Sequence, residues 1–233
     1  MITVCLASYN GEKYIESQLR SILVQLGKDD EVIISDDCSK DNTIEIIKTI
    51  DDPRISVFIN NAKHGYTSNF ENALKHANGD RIILSDQDDI WVENKVSIII
   101  DDLKYFDFVV TDAKIVDKNL NVLYNSFWTQ RKPYFSKWGD FMKCAYLGCC
   151  MAFNRNVLTK ALPFPSNKDL CVHDYWLMSI ASFYFKVKYE KSPLTLYRRH
   201  GNNVSDGGLS KGLSFFGKIQ YRIYVIFHLL LRL

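Results

Sequence analysis

Hydrophobic positions along the chain switch between two periods. Ile2–Ala7 is a short apolar run of the kind buried strands show, and from Ile15 the apolar positions Ile15, Leu19, Ile22, Leu23 and Leu26 keep helical spacing up to Gly27. The alternation then repeats: a strand over Glu31–Ser35, a helix carrying Ile44, Ile47 and Ile50, and a third strand over Ile55–Ile59. Ser68 and Glu71 have capping-box spacing and are expected to open a helix with Phe70, Ala73, Leu74 and Ala77 on one face. Arg81–Leu84 reads as a fourth strand, and Val92, Val96, Ile99, Ile100 and Leu103 form another helical stripe in a helix expected from Trp91. Strand–helix alternation predicts an α/β fold, with a mostly parallel central sheet and helices on both faces. Sheets of this class bind ligands beyond the carboxyl ends of their strands. The polar clusters Ser8-Tyr9-Asn10, Asp36-Asp37 and Asp86-Gln87-Asp88-Asp89 fall at those ends. After Asp107–Thr111 the pattern becomes irregular and strand-rich, with aromatics around Phe127–Phe141, which predicts a mixed sheet edge with long loops.

With 233 residues, 47% of them hydrophobic, the chain can bury enough apolar surface for a substantial core, which excludes disorder as its main state. There is no linker and no internal repeat, so residues 1–206 are expected to form one domain. The formal charge of +2 gives no reason to expect nucleic acid. It conceals an asymmetry: residues 207–233 carry Lys211, Lys218, Arg222 and Arg232 and no acid, leaving 1–206 with 25 basic and 27 acidic residues. On a helix, Lys211, Lys218 and Arg222 share one side, with Phe215, Ile219, Ile226 and Leu230 largely on another. Ile223–Leu231 is far shorter than the ~18 residues of a spanning helix. The tail is therefore expected to lie on a membrane surface, the alternative being a helix docked on the body or on a second copy. The six cysteines form no CxxC pair and Met1-Ile2-Thr3 lacks the charged start of a signal peptide. Both point to plain core thiols, a cytoplasmic setting and, with the tail, a peripheral position at the cytoplasmic face of the membrane.

Dinucleotide, P-loop and zincin motifs are absent: there is no GxGxxG after the first strand, no GxxxxGK[ST] and no HExxH. Carboxylates at strand ends remain. Asp86, Asp88 and Asp89 repel one another unless solvent or a cation neutralises them, and hard oxygen ligands there suit Mg²⁺ or Mn²⁺ gripping a diphosphate. A solvated acidic turn capping the next helix is the plainer reading. Of the Asp36-Asp37 pair, one carboxylate could accept the imide N–H of uracil or thymine; helix capping explains Ser39 or Asp41 without needing both. His173 and Asp174 precede an apolar run and either could act as a general base, although a cap or structural hydrogen bond is commoner for such a pair. His200 suits a metal ligand or a phosphate contact, or an ordinary loop, with Arg198 and Arg199 adding positive charge.

The order of these pieces resembles the family 2 glycosyltransferases of the GT-A fold, over about residues 2–205. The resemblance rests on Ala7-Ser8-Tyr9-Asn10-Gly11-Glu12, Asp36–Thr43, Asp86-Gln87-Asp88-Asp89, Gly148–Phe153, His173-Asp174-Tyr175-Trp176 and Tyr197–Val204. It implies that Ser8 and Tyr9 contact the base and ribose of a nucleotide sugar with Glu12 nearby, and that Asp37 binds the base edge. Asp86 is then expected at ribose and diphosphate, Asp88 at the metal, and His200 at the late metal or phosphate contact. Asp174 corresponds to the general base of inverting members, and Trp176 is expected to stack on an acceptor sugar. Two positions depart from the pattern: Cys38 stands where the family usually has Gly, and His173 where many members have Glu. The His-Asp-Tyr-Trp block is similar to that of rhamnosyltransferases and related polysaccharide-assembly enzymes. The implied activity is an inverting, Mg²⁺- or Mn²⁺-dependent transfer from a UDP- or dTDP-sugar to a saccharide or lipid-linked saccharide acceptor. The rivals are a non-catalytic nucleotide-sugar-binding subunit and a sugar nucleotidyltransferase, whose Gly-rich, Arg-containing phosphate loop is missing here.

Overall fold

The computed structural model describes residues 1–201 and 214–233. Nine strands form one sheet: β1 (Ile2–Ser8), β2 (Glu31–Asp36), β3 (Ile55–Ile59), β4 (Arg81–Asp86), β5 (Ile90–Trp91), β6 (Phe108–Val116), β7 (Val122–Tyr124), β8 (Met151–Asn154) and β9 (Val187–Arg198). Their order is β3-β2-β1-β4-β8-β6-β9-β5, with β7 on β6. The long ladders, β3-β2-β1-β4 and β6-β9, are parallel. The antiparallel ones, through β8, β5 and β7, are two or three residue pairs long. The expected α/β class and mostly parallel sheet are therefore present.

Both faces of the sheet are buried, which is why the strands read as continuous apolar runs. Side-chain alternation sends Val4, Leu6, Val32, Ile34 and Ile83 into one cluster and Cys5, Ile33, Ile82 and Leu84 into the other. The first cluster is closed by α1 (Ile15–Leu23) and α4 (Lys95–Asp102), through Ile15, Leu19, Ile22, Val96 and Ile99. The second is closed by α3 (Tyr66–His76) and α8 (His173–Tyr184), through Phe70, Leu74, Trp176 and Ile180. Each such side chain is worth about 1.5–3 kcal/mol when fully buried. Helix α2 (Thr43–Thr49) follows β2. The irregular second half contains three short helices besides its strands: α5 (Phe127–Arg131), α6 (Lys137–Met142) and α7 (Arg155–Ala161).

Two helix starts differ from the sequence expectation. Helix α3 is capped at Gly65, not opened by a capping box. Glu71 turns inward and Ser68 bonds back to the carbonyls of Lys63 and Gly65. Ile90 and Trp91 are not helical either: they pair with Leu196 and Thr195 as strand β5, and the helix begins at Lys95. In both cases a tertiary partner displaced the local signal.

The tail forms α9 (Phe215–Leu230), and it docks. Val225 and Leu229 are buried in the α8-side cluster, while the Tyr221 and Tyr224 hydroxyls accept from the Val172 and Asn167 amides. Its other face remains open, with Ile223, Phe227 and Leu230 more than half exposed. The docked alternative thus describes one face, and the other is apolar and open. Lys211 and the motif residues Asn202, Asn203 and Val204 lie outside the described residues, as does the boundary expected at residue 206. Among the described residues no helix is long and apolar enough to cross a membrane.

Candidate active site

The parallel strands β1, β2 and β4 end side by side at Ser8, Asp36 and Asp86, and the loops beyond them are stitched together by side chains. The Ser8 hydroxyl donates to Asp36, whose carboxylate also takes the Ser39 amide and hydroxyl. Ser8 is 1% exposed, so its hydroxyl shapes the loop and does not face open space. The Glu12 carboxylate accepts from the amide and side chain of Asn42, tying the first loop to the second. Tyr9, by contrast, stands at the strand end with 47% of its surface exposed.

Gln87 carries no signal of its own in the sequence, and it joins the β4 loop to the β1 loop by two hydrogen bonds. Its side-chain amide takes the Tyr9 N–H at 2.7 Å and donates to the Tyr9 carbonyl at 2.9 Å, extending the β1–β4 ladder with a side chain. A Cβ on Gly11 would lie 2.3 Å from Gln87 Oε1, so only glycine admits this approach. Cys38, in the family's glycine position, has φ of 63°, a left-handed conformation that glycine adopts without strain. Asp37 is held by Asn60 Nδ2 at 2.7 Å, by the Gly65 amide at 2.8 Å and by His64 at 3.3 Å, fixing its carboxylate at the end of β2.

Beyond β4 the carboxylates diverge. Asp89 is fully buried: one oxygen accepts the Arg198 amide and the other has no hydrogen-bond partner. A carboxylate oxygen of Asp86 and of Asp89 and the Cys149 thiol all lie within 4.8 Å of one another. Burial, with repulsion from Asp88, pushes Asp86 up to about 7 and Asp89 well above the usual carboxylate range. Asp88 meets His200, Nε2 to Oδ2 at 2.7 Å, and the His200 ring stacks on Tyr14 at 4.7 Å. An orphaned buried oxygen, a cluster that resists ionisation and an imidazole beside a carboxylate together fit a hard divalent cation. Arg198 is not a loose source of positive charge. It is buried, and its guanidinium binds the carbonyls of Asp88 and Lys118. Lys95 is fully buried and donates to the Cys149 carbonyl and the Thr195 hydroxyl. Burial lowers its pKa, while the charges of Asp89 and Asp86 act in the opposite sense.

Asp174 opens α8 and accepts the Tyr175 amide at 2.7 Å. Its charge adds to the rise of the Asp86 pKa, behind burial and Asp88. It also lines a cavity of about 470 Å³ between α6, α8 and α9. Its neighbour His173 is stacked on Phe70 at 4.3 Å, and burial holds its pKa below the ordinary value. The expectation for Trp176 fails. It is fully buried with its indole N–H on the Ala161 carbonyl, so it is a core residue that no acceptor can touch.

Comparison with known proteins gives the family and the fold. The profile of Glycosyl transferase family 2 matches residues 3–162. The dTDP-rhamnosyl transferase RfbG of Shigella flexneri is 33% identical over 88% of this chain and 75% of its own. The chain belongs to glycosyl transferase family 2. A second relative, the Escherichia coli UDP-Glc:alpha-D-GlcNAc-diphosphoundecaprenol beta-1,3-glucosyltransferase WfgD, is 28% identical over 71% of this chain and 64% of its own. Among solved structures, S. aureus TarS 1-349 in complex with UDP-GlcNAc superposes with a TM-score of 0.71 at 17% identity, covering 98% of this chain and 66% of that one. The mannosyltransferase PcManGT from Pyrobaculum calidifontis, in complex with GDP-Man and Mn²⁺, gives 0.64 at 18% identity, covering 99% and 62%. The fold of this family 2 chain is accordingly that of the GT-A glycosyltransferases.

Proposed function

We propose that this family 2 chain is an inverting, metal-dependent glycosyltransferase. It takes a UDP- or dTDP-sugar and glycosylates a saccharide or lipid-linked saccharide in cell-surface polysaccharide synthesis. The observation that carries the reading is the position of Asp174, which opens α8 and lines a cavity of about 470 Å³. Tyr9, Asp37 and Asp86, within the loop framework of Ser8 and Glu12, would receive the nucleotide. Asp88 and His200, beside Asp86, would hold Mg²⁺ or Mn²⁺, which when bound supplies positive charge for the departing diphosphate. Asp174 takes the proton of the acceptor hydroxyl as that oxygen bonds to the anomeric carbon from the face opposite the diphosphate. The C–O bond to the diphosphate breaks in the same displacement, and the configuration inverts. His173 does not compete as base, because its ring is buried and stacked on Phe70. The similarity to RfbG and WfgD supports a bacterial polysaccharide role, and the exposed face of α9 supports a peripheral place at the cytoplasmic side of the membrane.

The test is Asp174→Asn. The amide keeps the shape and the acceptor for the Tyr175 amide but loses basicity. Turnover of UDP- and dTDP-sugars should fall by about a hundredfold or more, with the affinity for the donor nearly unchanged. Turnover near that of the unmodified protein would refute Asp174 as the base, and donor binding with no transfer to any acceptor would favour a binding subunit.

A further inference from the structure

Resting on the reading of Asp174 as the base, the structure shows what else faces the acceptor. The wall of its cavity opposite α8 is α9, which contributes Lys218, Tyr221 and Arg222. Arg222 is anchored by one N–H on the Met142 carbonyl at 2.5 Å, which holds a five-donor group at the cavity wall. Lys218, one turn earlier, makes no side-chain hydrogen bond or ion pair among the described residues, and it is exposed. A pocket built only for neutral hydroxyls needs one carboxylate and uncharged hydrogen-bonding groups. Two cations one helical turn apart, facing a single carboxylate, instead leave positive charge for an oxyanion on the acceptor. The opposite face of the same helix is apolar and open, with Ile223 62%, Phe227 56% and Leu230 60% exposed. Cations beside the base and an open apolar face on the same helix match one chemistry: a sugar joined through a diphosphate to a long hydrocarbon chain.

We propose that Lys218 and Arg222 form the binding site for the diphosphate of a lipid-linked acceptor, so that α9 is a wall of the active site as well as a surface for lipid. Lys218 and Arg222 line the same cavity as Asp174.

The experiment uses the full chain with its donor site saturated by UDP and Mn²⁺, titrated calorimetrically with farnesyl diphosphate, farnesol and inorganic diphosphate. Farnesyl diphosphate should bind at least tenfold more tightly than either of the others. The double variant Lys218→Gln/Arg222→Gln should weaken it at least tenfold, with UDP affinity unchanged, and the single exposed change Lys218→Gln should weaken it severalfold. Equal binding of farnesyl diphosphate to the double variant overturns the inference. So does inorganic diphosphate binding as tightly as the farnesyl compound, which would show a site for free phosphate. A double variant that releases phosphatidylglycerol vesicles yet keeps farnesyl diphosphate also overturns it, because its cations then serve the bilayer. UDP binding is read separately. A chain that binds farnesyl diphosphate but not UDP keeps this inference and refutes the donor reading, and the converse result refutes this inference alone.

Discussion

Glu71 is nearly buried in the middle of α3, and three donors converge on it. Lys168 meets one oxygen; the Phe164 amide at 3.0 Å and Lys75 at 3.2 Å meet the other. Burial alone would raise its pKa, but the hydrogen bonds and charges of Lys168, Phe164 and Lys75 outweigh it, and the net direction is down. Glu71→Gln keeps the acceptor for the Phe164 amide and removes the charge. The bond to Lys168 is charge-assisted and worth about 1.5–3 kcal/mol, against about 1 for a neutral one. The Lys75 side chain is about half exposed and adds at most about 0.5 kcal/mol. Lys168 retains some access to water, so the full 3–5 kcal/mol of a stranded buried charge does not apply. A loss of about 2 kcal/mol is expected at pH 7, read as a fall of about 0.7 M in the urea midpoint if m is about 3 kcal/mol/M. The sign with pH is fixed. A carboxylate whose folded pKa is depressed contributes stability above its unfolded value of about 4.3, and loses it as pH falls through the folded value. The gap between the two proteins should therefore hold from pH 8 to 5, begin to close near pH 4.5 and keep closing below. No gap at pH 7, or a gap that stays constant into acid, would refute the ion pair as what fixes the segment leading to α8.

The base edge, the metal and the glycine position give three further tests. If Asp37 accepts an imide N–H, UDP should bind more tightly than CDP by roughly 1.5–3 kcal/mol in a competition titration, and equal affinities would remove that role. Asp88→Ala should abolish the extra thermal stabilisation that Mn²⁺ gives the UDP-bound protein, together with transfer, while leaving the melting temperature without ligand within a few degrees; a full Mn²⁺ response would place the ion elsewhere. At Cys38, φ of 63° costs an L-residue roughly 1–2 kcal/mol, partly offset because glycine gains roughly 0.5–1 kcal/mol of unfolded-state entropy. Cys38→Gly should therefore leave the melting temperature equal or slightly higher, whereas Cys38→Val should lower it, and the opposite order would mean that the thiol's contact with the Asn60 carbonyl matters more than strain.

The parallel half of the sheet was legible because its strands are buried on both faces. Val4 and Leu6 against Cys5, or Val32 and Ile34 against Ile33, need no polar alternation to declare themselves. Legibility failed where a distant partner decides the local outcome. Ile90 and Trp91 become a strand only because β9, about a hundred residues later, offers Leu196 and Thr195. Glu71 leaves its capping-box role only because Lys168 reaches it. The same cause hid Gln87 and Lys95. Neither residue type is unusual at its position, and their importance lies in a backbone pairing with Tyr9 and in a burial beneath Cys149 that no window of sequence contains.

The site shows why the motifs come as adjacent polar pairs and why sequence alone could not divide the labour within them. At a strand end or a helix start, successive side chains point in different directions, so a pair can serve the fold with one member and the cleft with the other. Asp89 is sealed at 0% exposure on the Arg198 amide, while Asp88 turns to His200. His173 is sealed on Phe70, while Asp174 faces the cavity. The sealed member is not idle: the Asp89 bond aligns β9 with the β4 loop, and so delivers His200 to within 2.7 Å of Asp88. Nor can His173 be enlarged or moved freely, because a Cβ on Gly148 would lie 2.3 Å from its Nε2, and Gly148 leads into the cysteines beside Asp86. Each pair therefore couples the position of a reactive group to the packing of the core behind it. A Glu in place of His173, as many relatives have, would require that core to change around Phe70 and Gly148 while the Asp174 carboxylate kept its place.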